Sequence, residues 1–284
     1  MKTGLIDVGG GFRGIYGAGV MDQFVEEKIS FDYAIGVSAG SANIISFLAG
    51  QKERNYKFYM EYSGRWQYMS LRSLIKCGSY LNLEYVYGEE LSNSGGEYPL
   101  DFEHALGTDT EMEIVTTDAG TGKVKYYEKQ DMARDDYGAI KASSCLPLAS
   151  KPYFWKGAYH FDGGLSDPIP IERALEKGCD RVVLILTRPK TQTRVPQKDE
   201  RVAKLIHRKY PSIAEALRNR AETYNRELSL ALEMERSGRL LILAPDDISG
   251  LKTLKRDTEA LQALYDKGKK AAEQAIQWME GNYS

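Results

Sequence analysis

The sequence is poor in cysteine and histidine. Its 284 residues include only three cysteines, Cys77, Cys145 and Cys179, which lie far apart and form no CxxC pair. That spacing excludes a disulfide scaffold and a zinc ribbon, and it favours a reducing compartment. Three histidines leave little material for a histidine-based metal site, so we expect no metal. The same scarcity counts against a Ser-His-Asp triad.

Long apolar runs and an excess of one charge are also absent. No run of ~18 apolar residues predicts a membrane-spanning helix, and the first residues lack the apolar segment of a signal peptide. We therefore expect a cytoplasmic protein that contacts membrane surfaces only transiently. Lys and Arg total 38 against 40 Asp and Glu, a net charge of −2, which argues against a nucleic-acid partner. Nothing in the sequence indicates an oligomeric state.

Strand-like runs alternate with helical patterns through most of the chain. The apolar run at residues 182–186 is typical of a strand that is buried on both faces. The alternation predicts an α/β fold with a mostly parallel sheet flanked by helices. The strand candidates are residues 5–8, 31–35, 113–117, 123–127, 158–161, 181–187 and 240–243.

The residue pattern of the sequence changes after residue 187. Residues 188–199 contain Pro189 and Pro196 among polar residues, which predicts a linker. Apolar stripes along residues 213–228 and 254–279 then predict amphipathic helices that pack on the core, in preference to helices lying on a membrane. We expect a catalytic domain at residues 1–190 and a mainly helical C-terminal region at residues 197–284.

Residues 55–102 are rich in aromatic side chains, with eleven in this segment. Two interpretations are open. The aromatic side chains either belong to helices packed on the sheet or form an apolar wall beside a substrate site.

The first chemical motif is a glycine loop that follows the first predicted strand and opens a helix. It contains Gly9, Gly10, Gly11 and Gly14, with Arg13 among them. Glycines let backbone N–H groups approach a phosphate or an oxyanion at a helix N-terminus. The spacing also satisfies GxGxxG, but a dinucleotide site needs an acidic residue after the second strand, and none stands there. An NAD(P)-dependent oxidoreductase is therefore disfavoured, and we expect no cofactor.

The second motif is the GxSxG sequence at Gly36, Ser38 and Gly40. It lies between a predicted strand and a predicted helix, which is the context of a nucleophile elbow. Such a turn exposes the serine hydroxyl, and the glycines leave room for neighbouring backbone. The motif predicts that Ser38 is a nucleophile.

A serine hydroxyl needs a base, and the sequence offers two kinds. None of His104, His160 and His207 lies in a strong motif, although His160 is only two residues from Asp162. Asp162 ends a predicted strand and precedes Gly163 and Gly164, the third motif. A carboxylate within reach of Ser38 could accept its proton directly, which favours a Ser-Asp dyad over a histidine base.

In this order, the three motifs resemble those of the patatin-like phospholipase family. Two further stretches are similar to it, the Ala-Ser block ending in proline at residues 142–147 and the proline-bearing continuation at residues 162–170. The resemblance covers roughly residues 3–190. The helical end of the chain looks like that of bacterial patatin-like proteins.

The resemblance implies a serine hydrolase that cleaves acyl esters of lipids, phospholipase A-like or lysophospholipase-like, through an acyl-enzyme and without metal or cofactor. Ser38 would be the nucleophile and Asp162 the base. The oxyanion hole would be formed by Gly9, Gly10 and Gly11. Supporting roles would fall to Arg13, Gly14, Gly36, Gly40, Gly163 and Gly164.

Two points qualify this expectation. Many relatives have an acidic residue directly before the three glycines, whereas this chain has Val8 there and Asp7 one position earlier. Because side chains alternate along a strand, Asp7 is not a simple substitute. The alternative function is a non-catalytic lipid-binding or regulatory protein of the same fold.

Overall fold

A single mixed sheet organises the molecule. The computed structural model describes residues 1–248, 250–251 and 253–281, so residues 249, 252 and 282–284 of the predicted C-terminal region lie outside the described residues. Within those ranges the strand order is β5-β6-β3-β2-β1-β7-β8, and β4 also pairs with β3. The strands are β1 (Thr3–Asp7), β2 (Tyr33–Val37), β3 (Glu111–Asp118), β4 (Val124–Glu128), β5 (Tyr153–Trp155), β6 (Ala158–Asp162), β7 (Arg181–Ile185) and β8 (Leu240–Leu243).

The centre of the sheet is parallel. Strands β8, β7, β1, β2 and β3 all pair in parallel, whereas β4, β6 and β5 add antiparallel pairings on the far side. The mostly parallel α/β fold predicted from the sequence is therefore confirmed. In the register, Asp7 pairs with both Gly36 and Ile185. The loops after β1 and β2 consequently leave the same edge of the sheet side by side.

Helices cover both faces of the sheet. Because strand side chains alternate, Leu5 of β1 belongs to the core on one face and Ile6 to the core on the other. The helices in the described part of the chain are α1 (Ile15–Glu26), α2 (Ala39–Leu48), α3 (Arg54–Met60), α4 (Leu71–Cys77), α5 (Leu83–Tyr87), α6 (Phe102–Gly107), α7 (Gly138–Ser143), α8 (Ile171–Glu176), α9 (Gln197–Ile206), α10 (Pro211–Arg236) and α11 (Thr258–Met279).

The C-terminal region is not purely an appendage of helices. Its strand β8 joins the sheet beside β7, α10 packs against β8 and α8, and α11 packs against α1. The predicted linker is wrong at its end, because α9 begins at Gln197 directly after Pro196, a residue compatible with a helix start. The division at residues 190 and 197 stays a prediction. None of the helices that the structure describes combines the length and apolarity needed to cross a bilayer.

Candidate active site

Ser38 occupies a strained turn between β2 and α2. Its backbone has φ 56° and ψ −130°, a conformation that non-glycine residues rarely adopt. Hydrogen bonds hold this conformation in place. The Ser38 N–H donates to the Ser143 hydroxyl (2.8 Å), and the Ser41 hydroxyl donates to the Ser38 carbonyl (2.6 Å). The turn therefore has the strand–serine–helix form of a nucleophile elbow.

The glycines of the elbow are required by close backbone contacts. A Cβ on Gly40 would lie 2.2 Å from the Asp7 carbonyl oxygen, and one on Gly36 would lie 2.4 Å from the Ser41 Cα. Both distances are far below van der Waals contact, so larger residues would push the elbow away from β1 or from its own helix.

The glycine loop after β1 lies directly against the elbow. Gly9 has φ +60°, and a Cβ there would stand 2.3 Å from the Val37 carbonyl oxygen. Its N–H donates to Asp7 Oδ1 (2.8 Å), so this amide is already used inside the protein. The N–H groups of Gly10 and Gly11, by contrast, form no hydrogen bond with the described residues. They are the amides of the loop that remain available to a ligand.

Asp7 anchors this loop, a role that the sequence did not indicate. The side chain is fully buried, and besides Gly9 it accepts a hydrogen bond from Asn43 Nδ2 (2.8 Å) on α2. Burial raises the pKa of the Asp7 carboxyl to about 6, against the lowering effect of these two donors. The expectation that Asp7 is not a simple substitute for an acid at position 8 did not include this contact. Since the chain turns at Gly9, the Asp7 carboxylate accepts the N–H of the residue two positions further along the chain.

Asp162 lies at the end of β6, where it leads into a short 3₁₀ turn at Gly163–Leu165. Its Oδ1 accepts the Gly164 N–H (2.8 Å). Its Oδ2 is buried and makes no hydrogen bond of standard geometry with a described residue, although the Ser38 hydroxyl lies near enough to lower the pKa of the carboxyl. Burial raises that pKa, and the positive charge of Arg220 is the largest opposing effect.

The Ala-Ser block at residues 142–147 connects the two candidate catalytic residues. Ser143 accepts the backbone N–H of Ser38, and the Cys145 carbonyl accepts the backbone N–H of Asp162 (2.8 Å). Gly163 packs on β3, where a Cβ would stand 2.2 Å from the Val115 carbonyl oxygen. One segment thus sets the position of both candidate residues.

The histidines are placed away from this chemistry. His160 is fully buried, and its ring nitrogens face Thr116 Oγ1 (3.4 Å) and Tyr127 Oη (3.1 Å). Burial lowers the pKa of its imidazole. His104 and His207 lie on other parts of the molecule. The ring of His160, the alternative candidate base, is therefore already engaged by polar groups of the core.

An apolar cavity opens beside Ser38. Half of the residues that line it come from the aromatic segment, and the space between its walls is about 670 Å³, including the part open to solvent. Tyr59 also closes against the glycine loop, since a Cβ on Gly14 would lie 2.5 Å from its hydroxyl. The apolar and aromatic side chains that this segment contributes to the wall include Phe58, Tyr59, Tyr68, Leu83, Val86 and Tyr87.

A second cavity, which we call the arginine cavity, borders Ser38 on its other side and also contains Asp162. Its space is about 750 Å³, again including the part open to solvent. Four arginines line it, namely Arg13, Arg188, Arg194 and Arg220. Three of them come from the predicted linker and from α10. Isolated basic residues on separate elements form no motif, so no sequence signal pointed to them.

Thr253, in the segment between β8 and α11, lies over both cavities. Its carbonyl accepts the Phe12 N–H (3.0 Å), and its hydroxyl accepts a hydrogen bond from Arg13 Nη1 (3.1 Å). The candidate site therefore includes residues from both ends of the chain. The described residues contain no cluster of three or more His, Cys, Asp or Glu side chains that could hold a metal ion.

Comparison with known proteins shows that two protein-family models match parts of this chain. The model of a family described as "Patatin-like phospholipase" matches residues 8–175, more than half of the chain. A model described as "Domain of unknown function (DUF6363)" matches residues 210–281. Residues of the elbow, the glycine loop and the Asp-Gly-Gly turn all fall in the first match.

Two individual proteins illustrate the similarity. The protein named "Uncharacterized protein YjjU" from Escherichia coli (strain K12) is 27% identical over 216 residues, which cover 72% of this chain and 57% of YjjU. The chain thus spans little more than half the length of this curated relative. The crystal structure of VipD from Legionella pneumophila aligns with a TM-score of 0.48 and 14% identity, over 99% of this chain and 67% of that one.

Proposed function

Because the chain belongs to the patatin-like phospholipase family, we propose that it is a serine acyl-ester hydrolase acting on lipids. The observation that carries the proposal is the position of Ser38, strained and placed between the buried carboxylate Asp162 and an apolar cavity. A hydrolase of lipid esters needs this combination, a nucleophile beside a base at the mouth of a space for an acyl chain.

The proposed reaction begins with proton transfer from Ser38 Oγ to Asp162 Oδ2 as Oγ attacks the acyl carbonyl. The unpaired state of Oδ2 supports this role, since the oxygen has an open acceptor position. Burial raises the pKa of Asp162 and makes it a stronger base than an exposed aspartate. The Asp162 carboxyl group then protonates the departing alcohol or lysolipid.

The free N–H groups of Gly10 and Gly11 support an oxyanion hole formed by the glycine loop. Each such donor typically lowers a barrier of this kind by ~3–4 kcal/mol. Gly9 contributes through the shape of the loop, because its own amide is held by Asp7. Water activated by Asp162 then hydrolyses the acyl-enzyme and releases the fatty acid. The scheme uses neither a metal nor a cofactor.

A fluorophosphonate probe and a panel of esters, from short nitrophenyl esters to phospholipids, test the proposal. We expect the native chain to be labelled and active, Ser38→Ala to lose both properties, and Asp162→Asn to lose about 10²–10⁴-fold in turnover. Ser229→Ala is the matched control, because Ser229 is exposed on α10.

Two results would contradict the proposal. Labelling and turnover that survive in Ser38→Ala would exclude this serine as the nucleophile. A native chain that neither reacts with the probe nor cleaves any ester would favour a lipid-binding protein without catalytic activity.

A further inference from the structure

The arginine cavity contains more positive charge than the protein itself neutralises. Arg194 forms a two-point ion pair with Asp199 (2.7 and 2.9 Å), and Arg220 reaches the same carboxylate at 3.7 Å. Arg188 has no hydrogen bond or ion pair with the described residues. Four guanidinium groups, counting Arg13, thus face at most two carboxylates, those of Asp199 and of the candidate base.

These charges are also poorly solvated. Arg13 is 6% exposed, and the Nε atoms of Arg13 and Arg220 are buried without a hydrogen-bond partner among the described residues. Burial, followed by repulsion from Arg188 and Arg194, lowers the pKa of Arg13 to about 9. Burial and repulsion from Arg194 lower the pKa of Arg220 to about 10. An anion in the cavity would relieve both the repulsion and the missing hydrogen bonds.

The guanidinium groups lie next to the reacting atoms. A Cβ on Gly10 would stand 3.2 Å from Arg13 Nη2, and one on Gly164 would stand 3.2 Å from Arg220 Nη2. The first places a guanidinium against the glycine loop, and the second places one against the turn that follows Asp162. An anion bound here would therefore lie close enough to the reacting atoms to belong to the same molecule as the ester bond.

We propose that Arg188, Arg194 and Arg220 bind the phosphate of a glycerophospholipid whose head group is net negative, while its acyl chain occupies the apolar cavity. The inference rests on the proposed function. The two cavities meet at Ser38, and they also share Gly11, Leu146 and Thr253. A lipid lying across this junction has its ester carbonyl at the nucleophile, its chain on one side and its head group on the other.

Phosphate fits this cavity better than a carboxylate does. A single arginine fork satisfies the two oxygens of a planar carboxylate, whereas a tetrahedral lipid phosphate has two or three terminal oxygens that several guanidinium groups can approach from different directions. A quaternary ammonium group would find no carboxylate here apart from the candidate base Asp162, because Asp199 is already paired with Arg194. The head group is therefore anionic rather than zwitterionic. All three arginines lie beyond residue 175, outside the part of the chain that matches the patatin-like family.

Binding of ether lipids tests this inference without relying on catalysis. Short-chain 1-alkylglycerol 3-phosphate and the matching 1-alkylglycerol contain no ester bond, so their dissociation constants can be measured calorimetrically on the whole chain. We expect the phosphate to bind at least about tenfold more tightly than the neutral analogue. We expect Arg188→Gln and Arg220→Gln to reduce this preference several-fold. The matched control Arg208→Gln, exposed and outside the cavity, leaves it unchanged.

The outcomes separate the two proposals. Equal binding of both analogues, or a preference retained in both cavity variants, would overturn the inference whatever the hydrolysis assays show. Inorganic phosphate that binds as tightly as the ether phosphate would assign the cavity to a free anion and overturn the lipid assignment. Arg188 is unpaired and half-buried, so its variant remains informative if the more buried Arg220→Gln fails to fold. If the native chain cleaves no ester but still prefers the ether phosphate over the neutral analogue, only the proposed function is contradicted.

Discussion

At the scale of single residues, Asp7 is the acid beside the glycine loop whose ionisation its burial opposes. It is fully buried, and its pKa is raised to about 6 from an ordinary value of 3.8. A carboxyl whose pKa is raised on folding binds a proton more tightly in the folded state. Its contribution to stability therefore falls as the pH rises from about 4 through 6, by about 3 kcal/mol in all.

Replacement of Asp7 by asparagine tests this directly. The asparagine side chain does not titrate, so the difference in free energy of unfolding, native minus Asp7→Asn, should decrease by roughly 2 kcal/mol between pH 4 and pH 7. Urea unfolding at several pH values measures it, and any constant cost of the altered contact to Asn43 cancels. The exposed Asp109→Asn is the control. A difference that stays flat with pH would show that Asp7 is not the buried acid described here.

The residues of the candidate site differ in whether the sequence alone identifies them. Ser38, Asp162 and the glycines belong to short contiguous motifs, because strand-turn-helix junctions require glycine within a few residues of the functional group. Arg188, Arg194 and Arg220 come from a connecting segment and a long helix, with no mutual spacing to recognise. Their convergence depends on how α10 docks, which no local pattern encodes.

At the scale of elements, the central strands were predictable because each contains a short apolar stretch bounded by turns, which is continuous in β7 and β8. The three-residue strand β5 was not, since it is short and pairs only with β6. The start of α9 was assigned to a linker, because its polar, charged first turn resembles a loop. Helix α11 was predicted from its apolar stripe, but the stripe does not show which helix it meets.

The crossing of α1 and α11 depends on two glycines. A Cβ on Gly19 would lie 2.2 Å from the Tyr265 carbonyl oxygen, and one on Gly268 would lie 2.1 Å from the Tyr16 carbonyl oxygen. The helix backbones thus touch at this point. A glycine inside a helix costs about 1 kcal/mol relative to alanine, so close packing must compensate at both positions.

Gly268→Ala should therefore destabilise the protein even though alanine is the better helix former. Overpacking typically costs about 1–3 kcal/mol, and we expect a net loss of about 1–2 kcal/mol in the free energy of unfolding. Urea or thermal unfolding measures it, with the exposed Gln274→Ala on the same helix as control. A variant as stable as the native chain would mean that the two helices are free to separate.

At the scale of the whole molecule, the candidate site is assembled from both parts of the chain. The candidate nucleophile, the candidate base and the glycine loop precede residue 175, whereas three cavity arginines and Thr253 follow it. Both parts of the chain also contribute strands to the sheet, because β8 of the later part pairs with the edge of β7. Tyr224 and Leu228 of α10 also pack into the core cluster that contains Val182. Stability and site geometry therefore depend on the same interface.

A chain ending at residue 190 tests this dependence. It retains Ser38 and Asp162, but it exposes the edge of β7 and the apolar surface that α10 and α11 cover. Exposed strand edges and large apolar patches promote aggregation, so we expect no cooperative unfolding transition and no ester turnover. Circular dichroism during heating and the ester assay measure these properties. Co-expression of residues 197–284 should restore part of both. A truncated chain that unfolds cooperatively and turns over esters at the native rate would instead establish residues 1–190 as an independent catalytic domain.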